Sequence, residues 1–219
     1  MPILELKNVF YTYEKGKAIL QNVNAELEAG KMYAILGPSG SGKTTLLSLL
    51  GGLDMSTKGS VLFDGEDIMT KGLEYHRRNH VSLIFQSYNL IDYMTPVENV
   101  QLTAKLDVVP ILERLGLTKD ETQRNVMKLS GGQQQRVAIA RALAFDAPVI
   151  LADEPTGNLD VDTTEEITAI LKESAHVFGK CVVVVTHSGE VAKQADVVLE
   201  IKRGHLLFWK TCFLPEGPL

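Results

Sequence analysis

The chain has 219 residues, a formal net charge of −5 and 45 % hydrophobic residues. This length fits one sizeable domain, and the hydrophobic fraction excludes general disorder. The acidic balance argues against sequence-independent nucleic-acid binding, which needs a basic surface, so no nucleic-acid partner is expected. The two cysteines indicate neither a disulfide framework nor a metal cluster, which fits a reducing compartment.

The sequence shows no pattern of membrane insertion. The N-terminus does not resemble a signal peptide, and no apolar run approaches the roughly 18 residues that a spanning helix needs. We therefore expect a soluble chain that can act at a membrane only through a partner.

Two extended segments are predicted at the start of the chain. Residues 3–10 and 18–27 mix apolar and polar side chains, and together they predict a small antiparallel layer. Tyr13 lies between them, where an aromatic ring could stack on a purine base. Tyr11 is the competing candidate, and either tyrosine, taken alone, is more often an ordinary strand residue.

The stretch Gly37–Thr44 has the spacing G-x-x-x-x-G-K-T and lies between the apolar runs 32–36 and 45–50. This predicts a strand, a glycine-rich turn and a helix, the context that a phosphate-binding loop requires. Backbone amides would converge on phosphate oxygens, Lys43 would reach the β- and γ-phosphates, and the Thr44 hydroxyl would bind Mg²⁺. A flexible loop with an exposed lysine is the alternative, which the complete motif disfavours. The residues assigned to the nucleotide here are Gly37, Ser39, Gly40, Ser41, Gly42, Lys43, Thr44 and Thr45.

The middle of the chain predicts a helical insertion. Residues 74–80 are polar and charged, which predicts a solvated helix or loop. Residues 81–85 form a short apolar strand with Gln86 at its end, and Thr95–Glu98 has the residues of a capped helix start. Residues 96–128 are predicted to be largely helical, with breaks near 107–110 and at Gly116. We interpret this block as a subdomain within an α/β chain, and ordinary crossover helices are the alternative.

A second helix start also suits an anion. Ser130 is a plausible N-cap, and Gly131 and Gly132 follow it within the first turn of a predicted helix. Glycine costs about 1 kcal/mol against alanine inside a helix, so two of them here suggest that bare amides are needed. On its own this signal is weak.

Polar residues follow two buried strands. The run 149–152 ends in Asp153 and Glu154, whose side chains point to opposite sides of the strand. Asp153 could hold Mg²⁺ through water, and Glu154 could orient or deprotonate a water molecule. The β-branched run 181–185 is typical of a central parallel strand and is followed closely by His187. Ligands bind at the carboxyl ends of such strands.

In their order and spacing, these motifs resemble those of the nucleotide-binding subunit of ATP-binding-cassette (ABC) transporters, over about residues 3–208. Each motif alone is modest evidence, whereas the complete ordered set is highly specific. In this resemblance Tyr13 is the A-loop aromatic residue, Gln86 the Q-loop glutamine and His187 the switch histidine. The other matches are the phosphate loop Gly37–Thr44, the signature stretch Leu129–Arg136, the Walker B strand Val149–Glu154 and the D-loop Asn158–Asp160.

The resemblance implies an α/β fold: a P-loop NTPase core with a mainly parallel central sheet, an N-terminal antiparallel β layer and an inserted α-helical subdomain. One ABC ATPase domain would span residues 1–210, with its core in 1–86 and 130–210 and the helical subdomain at about 87–129. The tail 211–219 matches nothing in the family and is interpreted as disordered or not native.

The resemblance also implies ATP and Mg²⁺ as cofactors and a head-to-tail dimer, in which each ATP lies between the phosphate loop of one copy and the signature helix of the other. The signature-side residues assigned to ATP are Ser130, Gly131, Gly132, Gln133 and Asp160. The implied metal ligands are Thr44, Gln86 and Asp153. The implied catalytic residues are Glu154, which acts on water, with Lys43, His187 and Gln86.

Residues 49–54 and 151–160 resemble one bacterial subfamily, whose members power lipoprotein release, macrolide export and antimicrobial-peptide export or resistance. This implies an export motor that works with an integral membrane permease, on the cytoplasmic face of the cell membrane. Two departures stand out. The helical block between 100 and 129 is short for the subfamily, and Ser188 stands after His187 where aspartate is usual.

Two other classes compete with the transporter interpretation. One is a soluble ABC ATPase of DNA repair, translation or iron–sulfur assembly, but the segment between Gln86 and Ser130 is too short for a long coiled-coil insertion. The other is a regulatory cassette in which ATP binding matters more than turnover. Glu154 and His187 are both present, which disfavours an inactive ATPase without excluding a regulatory output.

Overall fold

The computed structural model describes residues 1–13, 16, 18–157 and 159–209. The predicted tail 211–219 and Asn158 of the D-loop therefore lie outside the described residues. None of the helices in the described part of the chain is long and apolar enough to cross a membrane.

The described residues form a series of strands and helices, with several helices in succession in the middle of the chain. The strands are β1 (Pro2–Thr12), β2 (Ala18–Glu28), β3 (Met32–Leu36), β4 (Lys58–Phe63), β5 (Glu66–Asp67), β6 (Val81–Ile84), β7 (Val149–Asp153), β8 (Cys181–Val185), β9 (Val197–Lys202) and β10 (His205–Trp209). The helices are α1 (Lys43–Leu50), α2 (Leu73–Asn79), α3 (Pro96–Gln101), α4 (Val108–Arg114), α5 (Lys119–Gln123), α6 (Gly131–Ala144), α7 (Val161–His176) and α8 (Gly189–Gln194).

The strands build two sheets. The smaller sheet has the order β2-β1-β4-β5, and all its neighbouring strands are antiparallel. The larger sheet has the order β10-β9-β3-β8-β7-β6, in which β9, β3, β8, β7 and β6 run parallel and only the edge strand β10 is antiparallel. This confirms the predicted α/β architecture with its N-terminal antiparallel layer.

The central strands divide their side chains between two hydrophobic cores. In β3, Met32 and Ala34 face the core beneath the helices, whereas Tyr33 and Ile35 face the core shared with α1 and the antiparallel layer. Successive residues of a strand point to opposite faces, so a strand between two cores must be apolar throughout. All five residues of β8 are buried for this reason, as its β-branched sequence predicts.

The predicted helical block is a set of short pieces, α3, α4, α5 and a 3-10 helix at Val126–Lys128. The capped start at Thr95 is confirmed, with Glu98 completing a capping box. The predicted break near 107–110 is partly wrong, because Pro110 is the third residue of α4. Proline is tolerated there, since amides in a first helical turn have no intrahelical partner.

The helical block is packed onto the rest of the domain. α3 and α4 pack on α6, and Val100 and Leu112 belong to the same hydrophobic core as Val182 of the central sheet. The boundaries proposed for a separate subdomain, 87–129, therefore stay a prediction.

The segment around α2 is less solvated than its polar sequence suggests. His76 is only 1 % exposed, and its Nε2 lies 3.0 Å from the Leu50 carbonyl oxygen at the end of α1. Its Nδ1 lies 3.2 Å from Nδ1 of His80, whose ring stacks on Phe63. Burial lowers the pKa of His76. The expectation of a solvated helix or loop is wrong at this residue, because α2 lies against the end of α1.

This burial predicts acid sensitivity. Because the pKa of His76 is lower in the folded chain, the unfolded chain binds more protons once the pH falls below about 6.5. The contribution of His76 to the free energy of unfolding is therefore greatest above that pH. It declines as the pH falls towards the folded-state pKa of His76. The variant His76→Gln should show a flatter dependence of Tm on pH between about pH 7.5 and pH 5.5, measured by calorimetry.

The control for this measurement is His205→Gln, which removes an exposed histidine from β10. It should leave the pH dependence of Tm unchanged. Burial also lowers the pKa of His80, so some dependence should remain in His76→Gln. Equal pH dependence in His76→Gln and the unmodified chain would contradict the assignment.

Candidate nucleotide-binding site

The predicted site residues lie along one edge of the large sheet. β3, β8, β7 and β6 run parallel side by side, so their carboxyl ends meet at the same edge. The residues beyond these ends are Gly37 after β3, His187 after β8, Glu154 after β7 and Gln86 after β6. Ligands of open α/β sheets bind at such an edge.

The phosphate loop needs glycine where the sequence has it. Gly37 has a φ of 153°, and a Cβ atom there would lie 2.7 Å from the Ile201 carbonyl oxygen and 2.8 Å from Ser41 Oγ. Gly42, with a φ of 104°, precedes α1 without a side-chain cap, and no acidic residue lies in the first turn. The amides at this helix start therefore remain available to an anion.

Two side chains of the loop fit a phosphate ligand. The Ser41 hydroxyl is buried and has no hydrogen-bond partner among the described residues. Lys43 Nζ donates to the carbonyl oxygens of Gly37 at 2.7 Å and Pro38 at 3.2 Å, so its ammonium group lies across the loop. An unsatisfied donor and a positive charge around bare amides form a site of the right sign for phosphate oxygens.

A hydroxyl and a carboxylate meet beside the loop. Thr44 Oγ1 donates to Asp153 Oδ2 at 3.0 Å. Burial raises the pKa of Asp153, and the Thr44 bond and the charge of Lys43 oppose that rise. Among the described residues there is no group of three His, Cys, Asp or Glu side chains that could hold a metal. Two hard oxygen donors fit Mg²⁺, which keeps waters and binds substrate phosphates alongside a few protein ligands.

Gln86 is exposed two residues beyond β6. No hydrogen bond among the described residues joins it to Thr44 or Asp153. Its position at the sheet edge agrees with the sequence analysis, and its assignments as a metal ligand and a catalytic residue stay predictions.

Glu154 and His187 form a pair at the sheet edge. Glu154 has a φ of 47°, which is uncommon for a residue with a side chain. Its carboxylate lies 3.0 Å from His187 Nδ1 and is only 13 % exposed, whereas the histidine side chain is 74 % exposed. Asp153 and Glu154 thus point in different directions, as predicted, one to Thr44 and the other to His187.

A cleft of about 240 Å³ lies beside this pair. Its walls include Thr156, Thr186 and Thr164, and Glu154 and His187 both line it. The pair is therefore accessible to a small molecule such as water on the side of the cleft.

The structure separates the two candidate tyrosines. Tyr11 is 7 % exposed, and its hydroxyl donates to Asp54, whereas Tyr13 is 56 % exposed. The rings meet edge to face with centroids 5.1 Å apart. Tyr11 pairs with Leu20, which packs against Gly42 of the phosphate loop. Tyr13 is thus the ring available near the loop, and its role as a platform for adenine stays a prediction.

The signature stretch begins a long helix. Ser130 is the N-cap of α6, and its Oγ accepts from the Gln133 amide at 3.3 Å. In return the Ser130 amide donates to Gln133 Oε1 at 3.0 Å, which completes a capping box. Ser130 and Gly131 are exposed, and Gly132 is half-buried. The predicted cap is confirmed, while the contact of these residues with ATP stays a prediction.

Asp160 has a structural role that the sequence analysis missed. It is the N-cap of α7, and its carboxylate accepts from the Thr163 amide at 2.9 Å and the Thr163 hydroxyl at 3.0 Å. The backbone hydrogen bond from Thr163 lowers the pKa of Asp160. Its assigned contact with nucleotide stays a prediction.

The capping box at the start of α5 was missed although its local signal is present in the sequence. Thr118 and Glu121 form a capping box at α5, and Glu121 also accepts from Gln133 Nε2 at 2.6 Å. The T-x-x-E spacing indicates the box. The contact with Gln133 depends on tertiary packing and has no sequence signal.

A family model described as ABC transporter matches residues 20–157, more than half of the chain. The chain belongs to the ABC transporter family. It is an ATP-binding cassette, which confirms the resemblance drawn from its motifs.

Relatives include both single cassettes and longer proteins. An uncharacterised ABC transporter ATP-binding protein, YclH of Bacillus subtilis, is 41 % identical over 215 residues, which cover 93 % of this chain and 95 % of YclH. The macrolide export ATP-binding/permease protein MacB of Escherichia coli K12 is 42 % identical over 222 residues, which cover 94 % of this chain. The match covers only 34 % of MacB, so the cassette spans about a third of that protein's length.

Solved structures agree with the fold and the activity. A dimeric bacterial ABC transporter cassette, MJ0796, superposes with a TM-score of 0.87 at 38 % identity and covers 96 % of this chain and all of that one. A dimeric post-hydrolysis state of the same cassette, bound to ADP and Pi, gives 0.86 at 37 % identity, with the same coverage. The ABC cassette described here is thus an ATPase that binds nucleotide, and these dimers support its self-association.

The tight surroundings of Gly37 predict a loss of nucleotide binding in Gly37→Ala. The new Cβ would overlap the Ile201 carbonyl oxygen and the Ser41 hydroxyl, so the loop must move. We expect ATP affinity to fall at least about tenfold by calorimetric titration, because the overlap adds to the cost of a left-handed φ.

Gly30→Ala is the matched control. Gly30 has a φ of 78°, and nothing lies within 4 Å of a Cβ there, so this variant carries backbone strain without a steric overlap. It should lower Tm and leave ATP affinity unchanged. Equal ATP affinities for Gly37→Ala and Gly30→Ala would contradict the proposed fit of the loop to phosphate.

Proposed function

We propose that this cassette is the ATP-hydrolysing motor of a bacterial ABC transporter and drives a separate membrane permease, in export of peptide, lipoprotein or drug-like substrates. The observation that carries the motor role is the single sheet edge on which the phosphate loop, the Thr44–Asp153 pair and the Glu154–His187 pair meet. The cassette would act at the cytoplasmic face of the membrane.

Residues of the phosphate loop and residues around it bind different parts of ATP and its metal. The amides of Gly40, Gly42 and their neighbours and the Lys43 ammonium bind the phosphates, and the exposed ring of Tyr13 stacks on the base. Thr44 and Asp153 hold Mg²⁺, with Gln86 as a further ligand. The metal that these residues would hold would supply positive charge to offset the negative charge of the phosphate oxygens.

Hydrolysis depends on the Glu154–His187 pair. The Glu154 carboxylate accepts a proton from the attacking water, because it is the group at the sheet edge that combines partial burial with an adjacent cleft. His187 contacts that carboxylate at 3.0 Å and reaches towards solvent, where it stabilises charge on the γ-phosphate.

Two copies of the cassette complete each site. The start of α6, with Ser130 and Gly132, binds the γ-phosphate held by Lys43 of the second copy. This is supported by the presence of two anion-binding helix starts in one chain and by the dimeric solved relatives.

The permease contact lies between the core and the helical block. The MacB relative is named an ATP-binding/permease protein, and this chain matches about a third of its length. Tyr93 is 79 % exposed beyond Gln86, and Arg141 of α6 donates to the carbonyl oxygens of Tyr88 and Asn89. We propose that a groove near Tyr88–Met94 receives a permease helix. Gln86 would couple the binding of ATP to this contact with the permease.

Replacement of the proposed base should separate binding from hydrolysis. Glu154→Gln is expected to bind ATP with unchanged affinity, to hydrolyse it at least about a hundredfold more slowly, and to accumulate as an ATP-bound dimer in gel filtration. A second change, Ser130→Ala, should weaken that dimer without altering ATP binding to the monomer.

Glu165→Gln is the control for this prediction, because Glu165 lines the same cleft and is exposed. Its hydrolysis rate should stay near that of the unmodified chain. If Glu154→Gln hydrolysed ATP at the normal rate, the assignment of the base would be wrong.

The permease proposal predicts that the tagged cassette, extracted in detergent from membranes of its own host, retains an integral membrane protein that stimulates its ATPase rate. Gln86→Ala should lose most of this stimulation and keep its ATP affinity, since Gln86 is proposed to couple rather than to anchor the nucleotide. Equal losses of stimulation and affinity would count against coupling, and a cassette that retains no membrane protein in any nucleotide state would contradict the motor role.

A further inference from the structure

Two helix starts in the described chain share one hydrogen-bond network. Thr118 and Glu121 form the capping box of α5, and Ser130 and Gln133 form that of α6. In a capping box the side chain at the third helical position bonds back to the amide of its own N-cap residue. Here the third residues of the two boxes also contact each other, with Gln133 Nε2 donating to Glu121 Oε1 at 2.6 Å.

The direction of each hydrogen bond in this network is fixed. The Thr118 amide donates to Glu121 Oε2 at 2.7 Å, and the Ser130 amide donates to Gln133 Oε1 at 3.0 Å. Backbone amides can only donate, so both boxes place an acceptor oxygen on their amide. Gln133 must then turn its NH₂ group towards Glu121. Glu121 therefore has to accept with both of its side-chain oxygens, one from Thr118 and one from Gln133. Only a carboxylate can do this.

We propose that Glu121 is a positioning residue for the shared ATP site, because it fixes the start of α6 at the angle from which that helix meets the nucleotide of the second copy. The proposal rests on the proposed function, in which Ser130 and Gly132 bind the partner's γ-phosphate. Glu121 itself does not touch ATP and acts through Gln133.

Glu121 is suited to this role by charge and by geometry. Hydrogen bonds from the Thr118 backbone and hydroxyl lower the pKa of Glu121, so it is ionised and accepts at both oxygens at neutral pH. Hydrogen bonds to a charged group are short and strong. The Glu121 contact engages only the side chain of Gln133, so it leaves the amides of Gly131 and Gly132 free for an anion.

The helical block also contains an unlinked capping box that serves as a control. Thr95 and Glu98 form the same box at the start of α3. The Glu98 carboxylate accepts from the Thr95 amide at 2.7 Å, and its hydrogen-bond partners among the described residues lie within that box. Glu98→Ala therefore removes a helix cap of the same chemistry in the same block without touching the start of α6.

The decisive comparison is between Glu121→Ala and Glu98→Ala in the full chain. In the Glu154→Gln background, Glu121→Ala should weaken the ATP-driven dimer about tenfold by analytical ultracentrifugation, the effect expected from losing a hydrogen bond to a charged group. In the active chain it should lower kcat, while ATP affinity of the monomer stays unchanged. Glu98→Ala should lose a similar amount of thermal stability and none of the dimerisation.

Glu121→Gln tests the direction of the bonds. An amide at this position can accept from Thr118 or from Gln133 but cannot serve both with the existing geometry, so this isosteric variant should share most of the dimer defect. In Glu121→Gln combined with Gln133→Glu, the amide at 121 donates to the carboxylate at 133, and all backbone amides keep an acceptor. The double variant should recover the Tm lost by Glu121→Gln.

Amide hydrogen exchange of the nucleotide-free chain separates the failure of this proposal from failure of the proposed function. Residues 130–136 should exchange about tenfold faster in Glu121→Ala and unchanged in Glu98→Ala, because losing the Glu121 contact loosens the start of α6. Unchanged exchange at 130–136, or equal dimerisation of Glu121→Ala and Glu98→Ala, overturns the positioning role. If the Glu154→Gln parent itself does not dimerise on ATP, the shared site of the proposed function fails.

Discussion

The parallel arrangement of β3, β8, β7 and β6 is the constraint on which the rest of the cassette depends. Because these strands are neighbours and run in one direction, the residues that follow them must meet at one edge of the sheet. The contact from Thr44 on α1 to Asp153 on β7, at 3.0 Å, is a direct consequence. The two hydrophobic cores, one on each face of the sheet, hold the strands in this order. Because both faces are buried, the polar site residues lie at the ends of the strands.

The helical block adds a second level of organisation. Its helices are short, so their starts depend on side-chain caps rather than on length for stability. The cap of α6 is joined to that of α5 through Glu121 and Gln133, so the orientation of the signature helix depends on the block next to it. The phosphate loop, by contrast, is held by the sheet, with Gly37 pressed against Ile201 of β9. One cassette thus carries two helix starts that are proposed to bind phosphate, and different parts of the fold support them.

Much of the fold and site could be predicted because the signals are local. A capping box spans four residues, as at Thr95, and the phosphate loop needs only its own glycines and the helix behind it. The predictions that went wrong concern residues whose surroundings are distant in sequence. His76 is polar and stands in a charged segment, yet the end of α1 buries it. The sequence predicts a break that includes Pro110, although the first turn of α4 accommodates this proline.

The sequence by itself determined the family, the strand-and-loop order and the candidate residues, because each of these depends on residue types at short, fixed spacings. Only the tertiary structure decided which side chains meet. It separated exposed Tyr13 from buried Tyr11, turned Glu154 towards His187, and joined Glu121 to Gln133. The physical reason is that such contacts depend on how strands and helices far apart in the chain pack together, and a contact of about 3 Å leaves no trace in the spacing of the residues that make it.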